Sequence, residues 1–465
     1  MKVHSVYCYI LGTVYKCNSK CYMYDALSNR IHHIKPRLYD VLYGISGSQC
    51  IPNKIIEDNI YLKKLKDSCI YVSEIPFRYN NSCIDDYMTT KLDIQTLTLY
   101  ITDKCNLRCK YCIYSGAHKN QRTHSGRYMT FKTACRAVDY YISNSDRGKP
   151  LSISFYGGEP LLEFQTIMKV VEYVRQRKRD RKLNLYCTTN GVLLKGEIVD
   201  FFIKNNIYTT ISLDGPQAIH DIYRRDIEGK GTHKIIVENI EAIKCKSKEY
   251  YHKNIVYNVV MTGATDVDEL HDYFSSELFA NLPVRLVPVH LPEAEIDVNE
   301  YQGKGFHELR MKYLRLMSLE KNHSNIMDTL FSATTKRVRN RKVGYTTLVD
   351  FNICVPGRHK LITYPDGKFS ICERVNDKVI IGNIDEGIKR NKVYHLMSKY
   401  ALLLSKHCFK CWAAKLCQIC YQHCYISCDL DEDTFLSACD DEKGRILSSL
   451  IEYTDQQSYE SQAGG

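Results

Sequence analysis

Three cysteines in the string "LTLYITDKCNLRCKYC", Cys105, Cys109 and Cys112, stand in a CxxxCxxC spacing where an apolar, strand-like run ends. Thiolates are the usual iron–sulfur ligands, and three so close together can hold three irons of a cubane 4Fe-4S cluster. The fourth iron then lacks a protein ligand, and an open metal position is what separates a catalytic centre from a closed structural one. A zinc site or three buried thiols are the plainer alternatives for this spacing. Three later apolar runs end in further polar motifs. "FYGGEP" holds Gly157, Gly158, Glu159 and Pro160, and paired glycines let the backbone approach a ligand closely, which suits gripping an ammonium group. "CTTNG" offers Thr188, Thr189 and Asn190 as hydroxyl and amide partners. "SLDGP" offers Ser212 and Asp214 and is followed by Arg224 and Arg225, either of which can hold a carboxylate through a guanidinium fork. For each of these side chains alone, capping a strand end is the structural alternative.

A second zone, residues 345–445, holds nine cysteines and little regular apolar pattern. Chains that cannot build their own core are commonly nucleated by metals. Cys354 comes first, then Gly367 with Cys372 five residues later, then "CFKCWAAKLCQICYQHC" and finally Cys439. CxxC pairs of this kind also suit zinc ribbons.

The CxxxCxxC and GGEP series resembles the radical S-adenosylmethionine (SAM) superfamily. That resemblance implies that SAM chelates the unique iron and that an electron from the cluster cleaves it to a 5′-deoxyadenosyl radical. It places Tyr111 beside the adenine, Gly157, Gly158, Glu159 and Pro160 at the SAM amino group, Thr188 and Asn190 at the ribose, and Ser212 with Arg225, in preference to Arg224, at the carboxylate. The second zone resembles the SPASM domain, which holds auxiliary iron–sulfur clusters; the spacings of Cys408, Cys411 and Cys417 match its pattern. The resemblance assigns Cys408, Cys411, Cys417 and Cys439 to auxiliary cluster II, and Cys354, Cys372 and Cys420 to auxiliary cluster I, with Cys424 competing for the last place. Related proteins with a complete first cluster have a fourth ligand shortly before the Cys354 position. Here no cysteine stands between Cys245 and Cys354, so that count leaves one iron open. Three 4Fe-4S clusters and SAM are the implied cofactors.

The elements that must position these groups fall into three zones. Residues 1–88 alternate apolar and polar positions and then turn helix-like in "RLYDVLYGI" and "NKIIEDNIYLKKLKDS". This is about the size of a small winged-helix module and looks like the peptide-recognition domain of many peptide maturases; a structural N-terminal extension is the alternative. Residues 93–330 alternate six strand-like runs with amphipathic helices, which argues for an α/β fold, a partial (β/α)6 TIM-like barrel whose chemistry gathers at the carboxyl ends of its strands. Residues 345–445 form the cysteine-rich domain and 446–465 the tail, whose end "TDQQSYESQAGG" reads as disordered.

Composition limits the partners. The chain of 465 residues carries a formal charge of +11, but its basic residues fall in short runs such as "VRQRKRDRK" without interleaved aromatics, which argues against a nucleic-acid surface. It has no run of eighteen apolar residues and no signal-peptide pattern, so a cytoplasmic enzyme is expected, without a membrane partner and from an anaerobic bacterium given its oxygen-labile centres. The combined reading is a radical SAM maturase of a ribosomally made precursor peptide with a leader segment, reduced by a flavodoxin or ferredoxin. The open auxiliary iron favours a thioether crosslink. The alternatives are carbon–carbon crosslinking, epimerisation and anaerobic sulfatase maturation, the last disfavoured because "CVPG" places no acid directly after Cys354. An electron carrier or peptide-binding scaffold is the non-enzymatic alternative, and it has no need of GGEP.

Overall fold

The computed structural model describes residues 7–45, 51–52, 59–60, 63, 72–73, 77–116, 122–262, 265–280, 282–288, 335–351, 353–375, 378–426 and 429–463. Most of the helix expected over 53–68 and the last barrel unit beyond 288 lie outside them. The first strand, β1 (Tyr7–Ile10), pairs with β5 (Ile51–Pro52) and β6 (Val72–Ser73). Between them an antiparallel meander is formed by β2 (Gly12–Cys17), β3 (Lys20–Asp25) and β4 (Arg30–Ile34), followed by the helix Pro36–Ile45. Asn18 and Asn29 take positive φ at the two turns of the meander, a conformation that asparagine tolerates better than most residues.

The central sheet contains all six expected strands in parallel. These are β8 (Leu97–Thr102), β9 (Leu151–Gly157), β10 (Leu183–Thr189), β11 (Tyr208–Ser212), β12 (Ile255–Met261) and β13 (Val284–Pro288). β8 is buried at every residue, as a parallel strand covered on both faces must be. Alternation sorts its side chains: Leu97, Leu99 and Ile101 join the main core with the helices, whereas Tyr100 faces a second cluster with Tyr114, Ile362 and Tyr364. The first crossover helix, Phe131–Ser143, starts where Thr130 Oγ1 accepts the Thr133 amide, and it buries Ala134, Ala137, Val138 and Tyr141 at helical spacing.

The cysteine-rich zone is more regular than its sequence suggests. β14 (Leu348–Asp350) pairs in parallel with β7 (Arg78–Asn80). β15 (Leu361–Thr363) pairs in parallel with β8, and β16 (Lys368–Ser370), β17 (Ile380–Asn383) and β18 (Gly387–Ile388) extend the same sheet to ten strands. The 18-residue helix Arg390–His407 follows. These strands are two to four residues long, too short for a period-2 pattern to register. The expected tail is instead part of one helix, Glu432–Ala463. Ile446 and Leu450, one turn apart, are buried against Leu11, Tyr15 and Tyr24 of the meander region, and that docking holds a polar sequence helical. Arg78–Asn80, inside the 1–88 zone, pairs with Leu348–Asp350 of the cysteine-rich zone.

Candidate active site

Cys105 lies three residues beyond β8, on a loop fixed from three sides. Asp103 is buried and accepts from Arg122 (3.2 Å), Ser125 (2.9 Å) and Arg127 (2.6 Å). The glycine motif after β9 lies edge to edge with the same backbone: Gly158 N donates to Thr102 O and Glu159 N to Lys104 O, both 2.8 Å. A Cβ on Gly158 would sit 2.2 Å from Lys104 O, and one on Gly157 2.4 Å from Thr102 O. The close approach that these glycines permit is therefore first of all to the cysteine loop. On the far side, Arg108 N donates to Arg225 O (2.7 Å) and Lys110 N to Tyr223 O (2.9 Å).

Glu159 caps the short 3-10 turn that starts at Pro160 and joins it to β10. It is fully buried and accepts from Leu161 N (3.0 Å), Thr189 Oγ1 (2.8 Å) and Asn190 N (2.7 Å). Burial outweighs these three donors and pushes its carboxyl up to about 7. Asn190 Nδ2 donates to Asn106 Oδ1 at 2.8 Å and lies 4.0 Å from the Cys105 sulfur. Thr188 and Ser212 stand at the ends of their strands, in register with Thr210 and Asn258.

The two arginines point different ways. Arg224 is buried, its Nε is 2.8 Å from Asp214 Oδ2, and its Nη1 is 4.0 Å from the Cys109 sulfur. Arg225, the residue named by resemblance, is exposed and turns to the Asp221 carbonyl. The backbone at Arg224 is extended, so neighbouring side chains face opposite ways. Asp214 also receives the Tyr111 hydroxyl and Val260 N (2.9 Å). Tyr111 is buried with its ring 5.8 Å from that of Tyr223. Sequence reasoning passed over His220, whose Nδ1 accepts Asp214 N at 3.2 Å, so that Nε2 carries the hydrogen toward Thr232 Oγ1 (3.1 Å). Burial and the Arg224 charge hold its pKa down to about 3.

The three thiols suit a cluster. The amides of Leu107 and Tyr114 donate to Cys105 Sγ and Cys112 Sγ, both at 3.4 Å, and such bonds stabilise bound thiolates. Without a metal, burial pushes Cys105 and Cys109 up to about 12 and raises Cys112 as well; coordination is what deprotonates a buried thiol. Among the described residues no three His, Cys, Asp or Glu side chains converge on a single-ion site, whereas a cubane takes its thiolates on separate irons.

In the second zone Cys408 feels Cys411, Cys439 and Cys417, burial being the main cause of its raised pKa. Cys420 feels Cys354, and Cys372, pushed up to about 12 chiefly by burial, feels Glu373 and Cys420. Cys424 is fully buried and gives its hydrogen to the Cys420 carbonyl (3.3 Å), with Cys417 and Cys439 near it. Tyr114 joins the two zones: its amide meets Cys112 and its hydroxyl donates to Glu373 O at 3.1 Å. Between them the Arg122 guanidinium carbon sits 3.4 Å from the centre of the Tyr100 ring and 4.2 Å from that of Tyr114. Glu373, also passed over by the sequence reading, would be raised by burial, but Lys360 at 2.9 and 3.0 Å outweighs this and keeps it below the usual carboxylate range.

Residues 99–273 match the model of the Radical SAM superfamily. The fold and the site thus define a radical SAM domain, the domain of radical SAM enzymes, and this chain carries it. It is 29% identical over 193 residues to the radical SAM cyclopropyl synthase TigE of Paramaledivibacter caminithermalis, covering 40% of this chain and 38% of that protein. It is 29% identical over 181 residues to a cysteine-type anaerobic sulfatase-maturating enzyme of Clostridium novyi, covering 38% of this chain and 47% of that one. The match therefore spans less than half the length of either relative. A solved structure, native anSMEcpe with bound AdoMet and a Cp18Cys peptide, superposes with a TM-score of 0.58 at 22% identity, over 78% of this chain and 99% of that one. It shows the shared fold. Among the described residues no helix is long and apolar enough to cross a membrane.

Proposed function

We propose that this chain is a radical SAM maturase that modifies a residue of a peptide or protein substrate, using one SAM-binding 4Fe-4S cluster and two auxiliary clusters in a SPASM domain. The observation that carries this reading is the junction at Tyr114, which puts Cys112 of the first cysteine set one side chain away from the Cys372–Glu373 pair of the second. A simple electron carrier has no need for that junction or for the Glu159 and Arg224 arrangement around the loop. The relatives named for sulfatase maturation, and the anSMEcpe structure with its peptide, support a peptide-chain substrate.

When bound, the cofactors supply the electron that cleaves SAM, the hydrogen-abstracting 5′-deoxyadenosyl radical, and a sink for the electron left on the substrate. The chain's own residues do the positioning. Arg224 and Asn190 reach the first cysteine set and would orient SAM; Tyr100, Tyr114 and Tyr364 form a buried cluster beside it, with Arg122 over their rings. The Glu373 carboxylate, kept charged by Lys360, would accept a proton from an oxidised substrate carbon or thiol.

The product follows from auxiliary I. A cluster with three cysteines leaves an iron for a substrate thiolate, which supports a thioether crosslink. A second reading, oxidation of the sulfatase-maturing kind, is favoured by Glu373, the acid that the sequence reading sought after Cys354 and that instead follows Cys372. The expected partners are a precursor with its leader segment and a cytoplasmic flavodoxin or ferredoxin. The test is anaerobic reconstitution with iron and sulfide, followed by incubation with SAM and dithionite. Formation of 5′-deoxyadenosine supports the reading, and its absence from protein with a full iron complement would overturn it.

A further inference from the structure

Auxiliary I is one ligand short when cysteines are counted along the sequence, but strand pairing brings one from the other end of the chain. β7 and β14 run in parallel, with Arg78, Tyr79 and Asn80 opposite Leu348, Val349 and Asp350. The two segments leave this small sheet side by side and in the same direction. Cys83 follows Asn80 by three residues and Cys354 follows Asp350 by four. They remain tied beyond that point: the Tyr87 hydroxyl donates to Pro356 O at 3.1 Å, and Arg358 bonds Thr90 Oγ1. Cys83 is the second residue of the short helix Ser82–Asp85 and packs, half-buried, against the main core.

A second observation points to a ligand here. Tyr421, next to Cys420, is 5% exposed, and its hydroxyl has no hydrogen-bond partner among the described residues. A buried hydroxyl left unpaired is unfavourable, so a partner is expected for it. Burial raises its pKa first and Tyr425 next, and the thiols of Cys83, Cys354 and Cys420 add to it. The unused donor thus sits among three thiols from three distant stretches of sequence.

We propose that Cys83 is the fourth thiolate of auxiliary cluster I, completing Cys354, Cys372 and Cys420, and that the Tyr421 hydroxyl donates to a sulfur of the group bound there. The inference rests on the SPASM reading above. With four protein thiolates the cluster has no vacant iron for a substrate sulfur. Auxiliary I then serves as an electron acceptor beside Glu373, and the balance of the two product readings moves away from thioether formation.

The test compares full-length wild type, Cys83→Ala and Cys83→Ser, each reconstituted anaerobically and reduced with dithionite, by iron content and by electron paramagnetic resonance with and without 2-mercaptoethanol. Wild type should hold about twelve irons in three cubanes, with auxiliary signals indifferent to the added thiol. Cys83→Ala should either lose about four irons or keep a cluster whose signal shifts when the thiol is added. Cys83→Ser, which keeps the side chain's size and so guards against a folding failure, should shift the same signal. Variants with wild-type iron and unchanged, thiol-indifferent signals would overturn the inference alone, as would a thiol-sensitive signal already present in wild type. Wild type holding iron only at the Cys105 set would overturn the SPASM reading together with it.

Discussion

Arg224 closes on Asp214 at 2.8 Å while Arg225, one residue later, faces solvent. Because removing one partner of a buried ion pair costs about 3–5 kcal/mol, the informative change keeps the charge. Arg224→Lys should weaken SAM binding more than tenfold in anaerobic equilibrium dialysis, since Lys cannot hold Asp214 and a ligand at once. Arg225→Ala should stay within twofold. The opposite ranking would return the carboxylate role to Arg225.

Replacing Cys105, Cys109 and Cys112 together by alanine should remove about four irons and all SAM cleavage and leave the other clusters spectroscopically intact. Residual 5′-deoxyadenosine formation by the triple variant would sink the mechanism.

Trp412 is the single tryptophan of the chain and packs edge-on to Tyr24, ring centres 6.5 Å apart, where the N-terminal meander meets the cysteine-rich zone. Tyr24 is fully buried and donates to Asn29 Oδ1 at 2.7 Å. Tyr24→Ala should cost about 3–5 kcal/mol, read as a lower denaturant midpoint of Trp412 fluorescence. A leader peptide adding to the β4 edge should also change that fluorescence. No response to a precursor that the enzyme modifies would make the meander structural. Deleting residues 1–88 is not a clean test of leader binding, because it also removes β7 and Cys83.

Two buried groups give opposite pH slopes. His220 has a folded pKa of about 3 against an ordinary value near 6.5, so its contribution is complete above 6.5 and is lost as pH falls toward 3. Glu159, at about 7 against 4.5, contributes fully below 4.5 and loses that contribution as pH rises through 7. Between pH 4.5 and 6.5 the two oppose one another, each at no more than about 1.4 kcal/mol per pH unit. The stability of wild type minus that of His220→Gln should rise across this window, and that of wild type minus Glu159→Gln should fall. Guanidinium midpoints at fixed salt measure both; parallel curves would mean neither group titrates as described.

The central strands were legible because parallel buried strands such as "LTLYIT" are continuous apolar runs, and the strand-end motifs followed from them. Which of the two arginines is buried was not, since one residue of register on an extended segment cannot be read from a motif. Nor were β14 to β18 or the helical tail, whose order comes from partners far away in the chain: β8 for β15, and Tyr15 for Leu450. Cys83 escaped for the same reason, because ligand counting looks near in sequence and β7 finds its partner near residue 350.

That pairing also sets a timetable. On a ribosome adding 5–20 residues per second, Arg78–Asn80 emerges on the order of tens of seconds before Leu348–Asp350 exists to receive it. β8 waits almost as long for β15. Until then the first barrel strand has a bare edge and Cys83 has no neighbours. On the proposed reading, metal loading of the cysteine-rich zone therefore belongs after synthesis, and a nascent chain exposed to oxygen in that interval would meet it with thiols that have nothing yet to bind.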